Sequence, residues 1–403
     1  MSARHNAKLQ GSKPEKTAVA DTMTTTASAA SSTAATSIRQ EERSRSDQAA
    51  GRVISLSEVM VDILMGVNKI PHPGGYAFAE ASTTTVGGGF TVLKAANRMG
   101  ATAEHAGIIG NGPWATMVRN AFDAEGIAHT GQDRLDEDSG FRVILSDGGT
   151  RKTLIATYGA EAHGNEDAFD TLEAKADDIL HISGNSLMNR TAGAVYAFLR
   201  REDGHWNDYR YAADDNRGTG GRSRYRLVFN PMGAAIGHVN ESLIETLILD
   251  RPIWSCNKRE ARAIAHRLRV PITEPEPITV DGRTDAAMPE LCEGLGAVLQ
   301  APLIIRTGST GAWVWEPSAA AAGEGKLTHV PGFATKALHT QSAGGCHTGA
   351  LCAELARGAS LVDAVRVANA ASSLAVSRAD AGTGAPSCPS REEALALADG
   401  LGE

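Results

Sequence analysis

Aromatic residues are scarce: Phe, Trp and Tyr supply 5% of a 403-residue chain. Aliphatic side chains must therefore build any core. A basic excess is also missing. The formal net charge is −8, so no global positive field favours nucleic acid. No uninterrupted apolar run approaches the ~18 residues that suggest a membrane span. The five cysteines, Cys256, Cys292, Cys346, Cys352 and Cys388, form no C-x-x-C pair and are odd in number. That pattern fits reduced thiols in the cytoplasm better than a disulfide framework. The histidines lack H-x-x-x-H or Cys/His spacing, which argues against a dedicated zinc site. Neither a G-x-S-x-G elbow nor a G-x-x-x-x-G-K-[ST] loop occurs.

What is present is a hydrophobic fraction of 42% and 43 glycines. These suit a real core with tight turns and close helix packing. Residues 1–51 stand apart. The run Thr22–Ser37 is almost wholly Thr, Ser and Ala. Such a composition cannot bury enough surface to offset ordering entropy, so a disordered tail is expected. From residue 52 to 403 the chain reads as one α/β domain. Val53–Leu56, Ala106–Ile109, Asp178–Ser183, Val228–Phe229, Ile253–Trp254 and Leu303–Ile305 read as strands. Thr91–Met99, Trp114–Glu125, Ala192–Arg200 and the regions 345–357 and 361–377 read as helices. This alternation predicts a central, mainly parallel sheet with helices on both faces. Segments 61–86 and 139–158 carry short alternating stretches and predict a small β flap. Residues 202–225 mix aromatics, Arg and acids, and read as a surface insertion.

Five motifs carry chemistry. Glu58-Val59-Met60-Val61-Asp62 leaves the first strand, and a carboxylate there can accept two hydroxyl donors. Gly87-Gly88-Gly89-Phe90-Thr91 lets backbone approach a ligand closely. Asn257-Lys258-Arg259-Glu260 sits at a helix start, where Asn257 and Glu260 also read as a capping-box analogue. Arg306-Thr307-Gly308-Ser309-Thr310-Gly311-Ala312 is a turn after a strand. Further on, His339-Thr340-Gln341-Ser342-Ala343-Gly344-Gly345-Cys346-His347-Thr348-Gly349 has the form of an anion-cradling turn that opens a helix.

In that order these motifs resemble the ribokinase-like (PfkB) carbohydrate kinases over roughly residues 52–388. The last segment resembles the family pattern D-T-x-G-A-G-D followed by a Gly. The resemblance implies the ribokinase-like three-layer fold with a lid. It also implies ATP-dependent phosphoryl transfer to a hydroxyl of a sugar or nucleoside, with Mg²⁺ and a monovalent cation as cofactors. Asp62, Gly87, Gly88 and Thr91 would bind the acceptor. Asn257, Glu260, Thr307, Gly308 and Gly311 would meet the nucleotide, with Glu260 acting on the metal through water. Ala343, Gly344 and Gly345 would form the anion hole. A homodimer through the flap is implied, with no nucleic-acid or membrane partner.

Several positions depart from the pattern. Ser57 stands for Gly, Thr91 for Asn, His339 for Asp and Ser342 for Gly. Gly345 stands where the family has its catalytic Asp, the base that takes the acceptor's proton. Glycine cannot do this, which leaves water or His347 as the acceptor. Impaired transfer is therefore expected, with an inactive ligand-binding pseudokinase as the alternative. Because a helix start suits Asp, Gly345→Asp is expected to fold without strain unless Gly345 has a positive φ.

Overall fold

The computed structural model describes residues 51–147, 152–200, 225–232, 236–272, 287–338, 343–378 and 387–400. All of the tail expected at 1–51 except Gly51, and most of the 202–225 insertion, lie outside these residues, as do Gly148 and Gly149 of the flap. The described residues form two sheets.

The larger sheet has nine strands, ordered β13-β12-β11-β10-β9-β8-β1-β4-β5. These are β1 (Arg52–Ser55), β4 (Thr102–His105), β5 (Ala128–His129), β8 (Asp178–Ser183), β9 (Tyr225–Asn230), β10 (Ile253–Asn257), β11 (Leu303–Arg306), β12 (Gly311–Pro317) and β13 (Gly325–Pro331). Pairing is parallel from β5 through β11 and antiparallel only at the β11-β12-β13 edge. Strand side chains alternate between two cores, as a period of two requires. Val53, Ile179, Val228, Ile253 and Ile304 face one core. Ile54, Leu180, Leu227, Trp254 and Leu303 face the other.

Helices cover both faces. On the first lie α1 (Gly89–Arg98), α2 (Pro113–Glu125), α7 (Ala343–Ala356) and α8 (Leu361–Ser377), which supply Leu93, Phe122, Leu351 and Ala368. On the second lie α3 (Ala192–Leu199), α4 (Glu241–Asp250), α5 (Lys258–Arg267) and α6 (Met288–Leu299), which supply Val195, Leu243, Ile264 and Leu291. A last helix, α9 (Arg391–Ala398), starts with a capping box between Ser390 and Glu393. No described helix is long and apolar enough to cross a membrane.

The smaller sheet has four strands in the order β3-β2-β6-β7. They are β2 (Val59–Val67), β3 (Ala79–Gly88), β6 (Phe141–Ser146) and β7 (Lys152–Thr157). They fall in or beside the two segments expected to form the flap.

Two sequence expectations need correction. Ala106–Ile109 is not a strand; the strand is Thr102–His105. Its partner β1 ends at Ser55, opposite His105, so the parallel ladder has nothing to continue on. The apolar run remains buried because Ala106 and Ile108 still pack beneath the sheet. Tyr225 is likewise no part of a surface insertion. It opens β9, is buried, and stacks on Phe198 at 5.8 Å. The β12-β13 hairpin carries little sequence signal, because Trp313, Trp315 and small residues give a weak alternation.

Candidate functional site

The carboxyl ends of the parallel strands open into a cavity of about 650 Å³. Open α/β sheets hold ligands at this edge, where loops leave the strands. His181 and Ser183 come from the end of β8, Asn230 from β9, Asn257 from β10 and Arg306 from β11. The smaller sheet contributes Asp62, Gly87, Arg142 and Ile144 to the same wall.

At one end Asp62 and Arg142 face each other on the paired strands β2 and β6. Arg142 donates from Nε to Asp62 Oδ1 at 2.6 Å and from Nη2 to Oδ2 at 3.0 Å. Such a fork is the strong form of the pair. Burial opposes the Arg142 charge, and Asp62 with its neighbouring carboxylates more than offsets it. Gly87 makes the arrangement fit. A β-carbon there would run into Asp62 Oδ2 and lie 2.8 Å from Arg142 Nη2. Gly88 adopts φ 70°, in the left-handed region, with the Glu58 carbonyl against it. Glu58 itself is buried, with Oε2 unpaired. Burial pushes its carboxyl up to about 7, against the pull of Arg142.

The cavity floor is a buried polar chain. The Nδ1 of His181 lies 3.0 Å from Ser55 Oγ and 3.2 Å from Ser57 Oγ. Its Nε2 lies 2.9 Å from Asn230 Oδ1. Asn230 donates from Nδ2 to the Ser255 carbonyl at 2.7 Å, which fixes its amide. His181 therefore donates from Nε2 and accepts the serine hydroxyls at Nδ1. Burial holds this ring down to about 4, so it is neutral at pH 7. Ser57 is thus a member of this hydrogen-bonded chain.

At the other end Asn257 and Glu260 form a full capping box on α5. Asn257 Oδ1 accepts the Glu260 N–H at 2.9 Å, and Glu260 Oε2 accepts the Asn257 N–H at 2.8 Å. Both residues line the cavity. Arg306 approaches Glu260 Oε2 at 3.5 Å. Beyond β11 the turn is closed by Thr307, whose N–H and hydroxyl both donate to the Gly311 carbonyl, at 2.8 and 2.9 Å.

The first turn of α7 stands between the two ends. Ala343, Gly344 and Gly345 all line the cavity. Gly344 faces Arg306, and Gly345 faces Thr91. A β-carbon on Gly345 would lie 2.8 Å from Thr91 Cγ2 and 2.9 Å from Thr91 Cβ. His347 is buried, and its Nε2 lies 3.1 Å from Asn369 Oδ1. Burial, reinforced by the Arg306 charge, depresses it to about 3.

The sequence profile of the pfkB family of carbohydrate kinases matches residues 51–205 and 241–388. The chain belongs to this family. It is 25% identical over 344 residues to the uncharacterized sugar kinase YegV of Escherichia coli (strain K12), covering 85% of this chain and 92% of that protein. Among solved structures it resembles ribokinase from Cryptococcus neoformans in complex with ADP (TM-score 0.63, 18% identity, 87% of this chain and 100% of that one). Ribokinase from Thermotoga maritima is similar (TM-score 0.61, 20% identity, 87% and 100%). The fold is accordingly the ribokinase-like α/β fold with a mostly parallel central sheet.

In this pfkB-family chain, every acceptor, nucleotide and anion-hole position expected from sequence lines the one cavity, with one exception. Thr307 is buried in its turn, and its neighbours Gly308 and Ser309 form the wall instead. The reason is geometric: both Thr307 donors are spent on Gly311. His339, Thr340 and Ser342 lie outside the described residues. His347 as a proton acceptor needs correction as well. It sits two residues past Gly345, so its side chain points away from the Thr91 side, and its low pKa makes it a poor base. The expectation that Gly345→Asp would be free of strain also fails. Gly345 does not have a positive φ, yet Thr91 occupies the space a side chain needs.

Arg142, His181, Asn185, Asn230 and Asn369 were missed as wall residues. Asn230 was within reach of sequence reasoning, because polar residues at the carboxyl ends of parallel strands mark such sites. Arg142 was not, since a lone Arg in a flap strand carries no local signal. Asp62 and Glu260 are the only carboxylates among the described lining residues. No group of three or more His, Cys, Asp or Glu suited to a metal gathers among the described residues. Such a sparse donor set suits a cation that keeps most of its waters and needs few protein oxygens, as Mg²⁺ does.

Proposed function

We propose that this chain transfers a phosphoryl group from ATP to a hydroxyl of a sugar or nucleoside, at a rate lowered by the missing carboxylate at 345. The observation that carries this reading is the convergence of two unlike subsites on one turn. The Asp62–Arg142 end offers a carboxylate that can accept acceptor hydroxyls. The other end offers helix starts and the Arg306 charge, which suit phosphates. The first turn of α7 touches both.

In this reading ATP lies along Asn257, Glu260 and Gly308 to Gly311. Mg²⁺, held by its phosphates and reached by Glu260 through water, supplies charge neutralisation when bound, and a monovalent cation accompanies it. Asp62, Gly87, Gly88 and Thr91 hold and orient the acceptor. The backbone N–H groups of Ala343, Gly344 and Gly345 need no side chain to stabilise the moving charge. Positioning and charge stabilisation carry most phosphoryl-transfer catalysis. A general base adds ~10²–10⁴-fold, which is the part this chain forgoes.

A second reading, a ligand-binding pseudokinase, draws support from Thr91 filling the space beside Gly345. The two are separated by screening sugars and nucleosides with ATP and Mg²⁺ and following ADP release. Acceptor-dependent ADP supports transfer; ATP binding without release for any acceptor supports the pseudokinase.

The flap exposes Ile155 at 61% and Leu154 at 55% on β7, and there a second copy would pair to form the homodimer. Light scattering of wild type against Ile155→Lys tests this. The five free, buried cysteines suit a reducing cytoplasm.

A further inference from the structure

Arg306 is a charged side chain with almost nothing to bind. It ends β11 and lines the cavity. Its guanidinium carries five N–H donors. Nη2 meets the Ser255 carbonyl and Glu260 Oε2, each at 3.5 Å. Both contacts are long for hydrogen bonds. Nε is buried with no partner. The side chain is only 14% exposed, so water satisfies little of it.

The same guanidinium presses on the start of α7. A β-carbon on Gly344 would lie 2.5 Å from Nη1. A cation beside a helix N-terminus is repelled by the helix dipole. The placement becomes favourable once an anion lies between the guanidinium and the backbone N–H groups. The next polar side chain on that face is His347, three residues on from Gly344. It adds no competing charge. Asn369 donates from Nδ2 to the Val330 and Pro331 carbonyls at 3.2 and 3.1 Å, so its Oδ1 faces His347 Nε2. The ring therefore carries its proton at Nε2, and Nδ1 is a buried lone pair without a partner.

Position along α7 says which phosphate is involved. Gly344 faces Arg306 while its neighbour Gly345 faces Thr91, on the acceptor side. Arg306 thus stands at the crossing point from nucleotide to acceptor. We propose that Arg306 is a catalytic residue whose guanidinium contacts the terminal phosphoryl group of ATP at the first turn of α7. This rests on the kinase reading above. The acceptor oxygen forms a bond to the γ-phosphorus as the bond to the β-phosphate oxygen breaks. ADP leaves with that electron pair, and the acceptor's proton passes to water. Arg306 offsets the negative charge on the moving group, a role for which a planar two-pronged donor is suited.

The test compares wild type with Arg306→Gln and Arg306→Lys. Calorimetry is run with ATP and with ADP, each with Mg²⁺, and turnover is read with the best acceptor. Loss of charge-assisted bonds predicts ATP binding ~10–100-fold weaker in Arg306→Gln. ADP affinity should stay within about threefold, because the contact is to the terminal group. Turnover should fall by ~10³-fold or more, as for other arginines that stabilise this transfer. Arg306→Lys, with charge but no fork, should fall between. Equal weakening of ATP and ADP would assign Arg306 a structural role at the Glu260 cap and overturn the inference. Unchanged ATP binding and turnover would overturn it too, while leaving the kinase reading intact. Failure of wild type to bind either nucleotide would instead bring down the kinase reading, and the inference with it.

Discussion

Gly345 and Thr91 are partners: the side chain of Thr91 occupies the space into which a side chain at 345 would project. An added β-carbon would meet Thr91 Cγ2 at 2.8 Å and Cβ at 2.9 Å. Neither atom is the far end of a flexible chain. Thr91 and Gly345 therefore form one packing unit.

Placing a carboxylate at 345 must respect this contact. Gly345→Asp alone should lower stability by ~1–3 kcal/mol, the usual cost of overpacking. Adding Thr91→Gly removes both clashing atoms and should recover most of that loss. The double variant should then raise acceptor-dependent ADP release by ~10²–10⁴-fold over wild type, the contribution of a general base. Thermal melts and ADP release on the same samples check both parts. Because Thr91 also borders the acceptor side, acceptor binding is measured on the same variant; unchanged release in a double variant that is stable and binds both ATP and acceptor would show that a base at 345 is not what limits the protein.

The Asp62–Arg142 pair should be strongly coupled. Side-chain exposures of 8% and 13% leave either partner uncompensated once the other is removed. Arg142→Met and Asp62→Asn should each cost ~3–5 kcal/mol, as for other broken buried pairs. The double variant should cost clearly less than their sum. Denaturant titration of the four proteins supplies the cycle, and strict additivity would count against a coupled pair.

Glu58 gives a pH signature. Its carboxyl is raised from an ordinary 4.5 to about 7 by burial. Between those values the unfolded chain ionises while the folded protein holds its proton. Stability attributable to Glu58 is thus intact below about 4.5, falls as pH rises, and levels off above about 7. Glu58→Gln keeps the shape and removes the titration. Its stability relative to wild type should grow across that window and stay flat above it. The difference between the two melts cancels the opposing contribution of buried His105, His181 and His347, whose pKa values are lowered. A difference that does not vary with pH would refute the assignment.

Glu260 separates cap from metal. Glu260→Gln keeps an oxygen for the Asn257 N–H, so α5 should lose little stability, within ~1 kcal/mol. It removes the negative charge. ATP affinity should then depend less on Mg²⁺ than in wild type, by calorimetry with Mg²⁺ against EDTA. An unaltered Mg²⁺ dependence would remove Glu260 from the metal's surroundings.

Much of this protein is written in local sequence. Short apolar runs such as Val53-Ile54 and Ile304-Ile305 are buried on both faces, and helical repeats follow them, so the parallel sheet was legible. Asn257 and Glu260 announced their capping box because its partners are three residues apart. The order of the motifs from Glu58 to Gly349 made the family legible. The limits of Ala106–Ile109 were not legible, because a strand ends where its neighbour ends.

Only the tertiary structure joined residues that sequence spacing cannot relate. Asp62 meets Arg142 because β2 and β6 pair in parallel across 80 positions. Arg306 reaches Gly344, and Thr91 reaches Gly345, because β11 and α1 flank the start of α7. The direction of His347 was in principle available from helical geometry, but its burial and its bond to Asn369 were not. Periodicity reports which way a side chain points from its own element. What it meets there depends on how distant elements stack, and in this protein that stacking sets the Asp62–Arg142 pair, the loosely held guanidinium of Arg306 and the contact of Thr91 with Gly345.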